Sequence, residues 1–519
     1  MLLGRLDFLA GRTAVAETGL LEAWHAHDRA LEGSVGAAAA LQLAVLCLNA
    51  GRIREGITWA ERAAASFAPA ATRRQAQGLL AIALFADGRG PEGLAQLAFL
   101  PAAPSDVPQE DTGALVLRGM AKVLAEDLAG AIADLSAAAA RLRAGVRLPT
   151  ASGCLRYLAA AEWRLGSWDD AVVHAELAVS LARDADRASE LAYVHAFAAV
   201  IPAFRGDWEV ASGHVRMAAH AAQNTGLPGA IIAAAIARAS LAMAQGDLDG
   251  VIGAAEAVRA TGRPESHNLG RYDWRPLEVN ALIAMGRLGQ AEKALAELEA
   301  GLPSAAPPSA MVTAARLRGE LAIAAGCPAA AAEAFQTAWR HAQDLQVPLV
   351  RAQLEISDGR RLCAAGQLRA AAAQLRTARQ RLITLGARPY LQACDQELAA
   401  AGAPAGAEPA LFPPGLTPAE QAVARLVAAG RSNRQTAAEL YISIKTVEFH
   451  LRHIFDKLGI RSRKDLITRI GAPYSWPGQY QHRPVVLPRS PAAGRSQARR
   501  PASCAESSFP RRLLPGEIT

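Results

Sequence analysis

The chain has 519 residues, a formal charge of +7, 51% hydrophobic residues and 20% charged ones. That length exceeds what a single hydrophobic core supports, so several domains or a repeat array are expected. Six scattered cysteines without a C-x-x-C pair exclude a disulfide framework or a zinc site and point to buried thiols in a reducing cytosol.

The opening residues, Met1-Leu-Leu-Gly-Arg5, lack the charged region and long apolar run of a cleavable signal. The apolar stretch 230–244 is interrupted by Arg238, so no segment is expected to reach the ~18 residues of a membrane span. From the start, glycine recurs in the pattern helix, Gly, x, apolar, x, x, small, helix. The positions are Gly11, Gly51, Gly88, Gly166, Gly206, Gly246, Gly286, Gly326 and Gly366, with Glu126 in the missing place. The spacing is 40, 37 and 38 residues and then 40 six times. Two places on stand Ile53, Leu128, Trp168, Trp208, Leu248, Leu288 and Leu368; five places on, small residues such as Ala131, Ala171 and Ala211 dominate. Glycine ends one helix in a left-handed turn, and the small residue lets the next helix approach closely. A hairpin of this kind cannot bury its own apolar face, so neighbours stack into a superhelix. About ten hairpins over 1–401 are expected, resembling tetratricopeptide repeats with a longer period.

Trp168 and Trp208 share the apolar phase, so they are expected in the core rather than in a ligand cage. His25 and His27 diverge on a helix at i, i+2, which argues against metal ligation. His267, Arg271, Asp273 and Trp274 fall in a stretch that reads as irregular, a candidate ligand-contact loop. Residues 402–415, rich in Ala, Gly and Pro, read as a linker.

A second pattern begins at Thr417. Thr417-Pro418-Ala419-Glu420 and Ser432-Asn433-Arg434-Gln435 are capping boxes that open two helices. The stretch 443–458 is a third helix, with Ser443 as N-cap and Gly459 past its end. Val447, Leu451, Ile454 and Leu458 form its apolar stripe. At about 100° per residue, Lys445, Phe449, Arg452 and Asp456 lie opposite. An outward Phe between cations suits a helix entering a DNA groove, where cations meet phosphates or guanine edges and an apolar group meets a thymine methyl. Ser462 opens a short fourth helix toward Ile470. The second and third helices make a helix-turn-helix, with the later one in the major groove. Charge agrees: 417–470 holds ten Lys/Arg against five Asp/Glu, and 471–519 seven Arg against two Glu, so the basic balance lies there.

This segment, 416–470, resembles the LuxR-type (GerE-like) helix-turn-helix domain of bacterial transcription regulators. The resemblance rests on Leu416-Thr417-Pro418-x-Glu420, Ala429-Gly430-x-Ser432-Asn433, Ala437-Ala438-x-Leu440, Lys445-Thr446-Val447-x-x-His450-Leu451 and Lys457-Leu458-Gly459. Thr436, where the family favours an aliphatic residue, is expected to loosen packing, and Ile444, where it often has Pro, removes a favourable helix start. The resemblance implies that Glu448, Phe449 and Arg452 face base edges. It places Lys445 and Thr446 near phosphates, and adds Arg434 and Lys457 to the DNA-binding set. A surface ion pair between Glu448 and Arg452 is the plainer alternative. His450 and His453 read as packing or phosphate-side residues. Pairing of two such domains through the fourth helix, as a homodimer on a two-half-site operator, is a further implication.

No P-loop, G-x-G-x-x-G, G-x-S-x-G or H-E-x-x-H motif occurs, and almost no strand pattern, so no enzyme, cofactor or metal is expected. Helical repeats followed by a LuxR-type domain resemble the C-terminal half of the large ATP-binding regulators of the MalT type. Met1 already lies in the first hairpin phase, so the ATPase of that type is expected to be missing, and ATP control is not carried over. The tail 471–519, rich in Pro, Arg and Ser, reads as disordered. The whole reads as an all-α regulator, cytoplasmic and nucleoid-associated. Its partners would be operator DNA, RNA polymerase and a small-molecule or protein effector on the repeats, and no membrane. A repeat scaffold with an incidental basic end is the competing reading.

Overall fold

The structure, a computed structural model, describes residues 10–28, 33–148, 150–262, 271–303, 306–403, 415–428, 431–440 and 442–466, with Gly4 and Asp7 singly. Among them every regular element is helical. Among the described residues nine complete hairpins run from Gly33 to Leu385, and Arg388–Ala400 adds one more helix. The expected linker and tail fall almost wholly outside the described residues.

The glycine series does what its chemistry suggests. All nine glycines have left-handed backbone, with φ from +71° at Gly286 to +94° at Gly166. The next amide then closes back on the first helix, as in Ser167 N–H to the Glu162 carbonyl at 2.8 Å. Five residues on, Ala131, Ala171, Ala211, Ala291, Ala331 and Ala371 are sealed between helices at 0% exposure. The apolar position two residues on is less uniform. Trp168 is buried, packed edge-on against Phe204 at 6.0 Å. Trp208 is only half-buried, beside Ala203, Ala211 and Leu241, so its expected place in the core is corrected. Leu368 is exposed. The difference lies in what covers the hairpin, which a single repeat unit does not encode.

That cover comes from the winding of the superhelix. First helices of successive hairpins touch one another, and three of them also meet one five hairpins away. Gly33–Asn49 meets Pro228–Gln245, Ala151–Leu165 meets Pro348–Ala364, and Ala188–Arg205 meets Arg388–Ala400. Phe204 stacks on Tyr390 across this contact, at 5.1 Å and 14°. Some turn glycines serve twice here. A Cβ on Gly166 would come within 3.3 Å of Pro348 and 3.1 Å of Leu385 in the next turn.

Glu126 explains itself in the same way. Its φ of +67° is strained for a residue with a Cβ. Its carboxylate accepts the Ser309 backbone N–H at 2.9 Å, in the first turn of Pro308–Ala324, and pairs with Arg164, whose guanidinium also donates to the Ser309 hydroxyl at 2.8 Å. One side chain thus fastens two turns of the superhelix 183 residues apart. Glu126→Ala keeps the backbone strain and removes the fastening, so it is expected to cost about 2 kcal/mol. Glu126→Gly, which also relieves the strain, is expected to cost less. Urea unfolding of the two variants measures the order.

Two further expectations are corrected. The stretch around 271–274 is not irregular: Arg271–Ala284 is the first helix of the Gly286 hairpin, and Trp274 is 2% exposed in its core. Burial of that indole and the demand of the repeat phase override Pro276 within the helix. His267 lies outside the described residues. The apolar stretch near 230–244 proves longer than expected, because Arg238 does not interrupt it. Pro228–Gln245, at 18 residues, is long and apolar enough to cross a membrane by length and composition alone. Its window is 61% buried, as befits an inner helix packed on several sides.

The last described helices form a separate small core around Val423, Val427, Leu440, Val447, Ile454 and Leu466, all at 0% exposure. Helix Pro418–Ala428 lies against Trp168–Asp184 of the repeats, and Val173 joins that core.

Candidate nucleic-acid interface

Three caps set the helices that position the interface. Thr417 N–H donates to the Glu420 carboxylate at 2.7 Å, and Glu420 N–H returns a bond to the Thr417 hydroxyl. Ser432 and Gln435 form the same reciprocal pair ahead of Asn433–Glu439. The Ser443 hydroxyl accepts from Thr446 N–H at 3.0 Å and opens Ile444–Leu458, which stops at Gly459 with φ +63°. Ser462 caps 463–466, the described start of the fourth helix, through Asp465 N–H.

The third helix divides as its spacing requires. Val447, Leu451, Ile454 and Leu458 are buried, and Lys445, Glu448, Phe449, Arg452 and Asp456 are exposed. Phe449 holds 52% of its surface in solvent. Its ring is not loose: it sits edge-on to His453 at 4.2 Å and near His450 at 5.7 Å. The two histidines therefore brace an apolar side chain on a polar face. Among the described residues no ion pair joins Glu448 to Arg452, so both are available. Thr446 is half-buried at the start of the helix, and Arg434 is exposed in the preceding one.

Lys457 has a different place from the other candidates. Its ammonium bonds the Glu420 carboxylate at 2.7 Å, and that carboxylate is 4% exposed. This ties the first helix to the third, a role that spacing within one helix did not reveal. Burial alone would raise the Glu420 carboxyl, but bonds from Lys457 and from the Thr417 amide and hydroxyl outweigh it and hold it below its ordinary value. The stabilisation is complete above the unfolded value near 4.5 and is lost as pH falls through the lower folded one. Lys457→Ala is expected to cost about 1 kcal/mol, since the lysine is partly exposed, and to flatten the acid limb of the stability–pH curve. Circular-dichroism melts across that range measure both.

His450, half-buried, is held below the ordinary histidine value, first by burial and then by neighbouring His453 and Lys457 against Glu420. Thr436 is fully buried, and its hydroxyl has no partner among the described residues. An aliphatic side chain suits that position better, and Thr436→Val is expected to stabilise by about 1 kcal/mol in a thermal melt. Arg463 Nη1 donates to the Asn433 side chain at 3.1 Å, locking the fourth helix to the second, a contact not foreseen from the motif.

Residues 414–470 match the luxR family of bacterial regulatory proteins (GerE). A protein of Mycobacterium bovis described as an HTH-type transcriptional regulator is 46% identical over 61 residues, 11% of this chain and 7% of that one. The oxygen regulatory protein NreC of Staphylococcus aureus is 40% identical over 52 residues, 10% of this chain and 24% of NreC. The chain thus spans only a small part of either relative. A solved Rap protein complexed with competence and sporulation factor overlaps 71% of this chain and 100% of its own, at 13% identity and a TM-score of 0.45. With its capping boxes, its buried stripe and its family match, the segment 414–470 is a LuxR-family helix-turn-helix domain beside an array of helical repeats.

Proposed function

We propose that the protein is a DNA-binding transcription regulator whose helix Ile444–Leu458 reads an operator from the major groove. The observation that carries this is the outward face of that helix. Two cations, two carboxylates and a braced phenyl ring stand exposed on it, opposite a buried stripe. A merely solvated face gains nothing from an exposed Phe. A groove-facing one gains contact with a thymine methyl, while Arg452 donates to guanine and Glu448 accepts from a cytosine amino group. Lys445 and Arg434 take phosphates and set the register. Two domains pair through the segment 462–470, so the operator has two half-sites about one helical turn apart.

The repeats then serve as the platform for an effector or for RNA polymerase. Contact between Pro418–Ala428 and Trp168–Asp184 supports a link between platform and reader. Electrophoretic retardation of a promoter pool, at low and raised salt with competitor DNA, tests the reading. Sequence-selective shifts that weaken steeply with salt are expected. Shifts lost wholly to competitor, or none, favour a repeat scaffold without operator recognition.

A further inference from the structure

The interior of the superhelix is not completely filled. A narrow cleft, with about 30 Å³ of interior space, is lined by residues of five inner helices, among them Met243, Asn280, Arg316, Ser357, Arg360 and Tyr390. Its polar groups are only partly satisfied by one another. Arg316 Nη1 donates to Glu320 Oε1 at 2.9 Å, the Ser357 hydroxyl donates to the same oxygen, and Arg360 Nε donates to Glu397 at 2.8 Å. What remains is Arg316 Nε, Arg360 Nη2 and Glu320 Oε2, each buried and without a partner among the described residues. The three side chains are 5%, 6% and 6% exposed. Native interiors rarely strand charged groups in this way, and three around one cleft point to something that fills it.

The chemistry of the vacancy is two-signed. Two guanidinium groups each retain a free N–H, and one carboxylate retains a free oxygen. The charges of Arg316 and Arg360 are balanced by Glu320 and Glu397, so the site offers no net attraction to a simple anion. It offers complementary ends to a molecule carrying both charges. Met243, Leu277 and Ile356 supply an apolar wall. So small a space admits only a few non-hydrogen atoms, so the occupant is small, its remainder lying outside the mouth.

We propose that this cleft binds a small zwitterionic α-amino acid, its carboxylate on Arg316 and Arg360 and its ammonium on Glu320. This deepens the effector role in the proposed function, but it is read without DNA. Failure to bind an amino acid leaves operator binding standing, and failure to bind DNA leaves the cleft standing.

Titration calorimetry of the full chain with glycine and L-alanine tests it, beside glycolate, which lacks the ammonium, and glycinamide, which lacks the carboxylate. Saturable binding of glycine or alanine at millimolar concentration is expected, with both one-ended analogues at least about tenfold weaker. Glu320→Gln is expected to abolish the preference for glycine over glycolate. Asn280→Leu obstructs the cleft without touching a charge; it is expected to lose binding, and it stands in should Glu320→Gln fail to fold. No heat with either amino acid means that the cleft holds water only and overturns the proposal. Equal binding of glycolate makes it an anion site and overturns it as well.

Discussion

Arg452→Ala is expected to weaken operator binding by about 1–3 kcal/mol, roughly five- to 150-fold, and to relax base preference at one position of each half-site. The side chain is exposed and, among the described residues, bonds no carboxylate, so its truncation costs the domain itself little, within about 0.5 kcal/mol. Loss of affinity with an unchanged melting temperature therefore reports groove contact, not unfolding. Lys445→Ala provides the contrast. A phosphate contact carries no sequence, so that variant is expected to weaken all duplexes alike and to lower the salt slope by about one. Titrations of labelled duplex at several salt concentrations separate the two.

Trp168→Ala is expected to cost about 3–5 kcal/mol. The indole is 1% exposed, its N–H donates to the Trp163 carbonyl at 2.9 Å, and its ring packs on Phe204, which stacks in turn on Tyr390. Its removal opens a cavity where one superhelical turn rests on the next, while the Trp163 carbonyl keeps its bond from the Gly166 N–H. Trp208, at the same repeat phase but half-buried, is expected to cost no more than about 2 kcal/mol on the same substitution. Denaturant unfolding of the two alanine variants gives the comparison. Equal costs would mean that repeat phase, not superhelical cover, decides burial.

The contrast between those tryptophans marks the limit of what the sequence conveyed. Local chemistry was legible. The left-handed turns followed from the recurrence of Gly, the sealed alanines from their fixed offset, and the recognition helix from Ser443, Gly459 and the stripe between them. Each depends on residues within one helix or one turn. What was hidden depends on residues far apart. The winding that brings Glu126 to Ser309 and Phe204 to Tyr390 has no signature inside a unit of about 40 residues. The tie of Lys457 to Glu420 was hidden because that partner sits two helices earlier. The polar interior around Arg316 and Arg360 escaped notice for the same reason, since each Arg read alone is a surface residue.

The central claim is that the face bearing Lys445, Glu448, Phe449 and Arg452 reads base edges. Selection of bound duplexes from a random library, with the unaltered chain and with Arg452→Ala in parallel, tests it most directly. The account predicts a two-half-site motif with a conserved guanine for the unaltered chain, and loss of preference at that guanine for the variant. An identical motif from both proteins would contradict it.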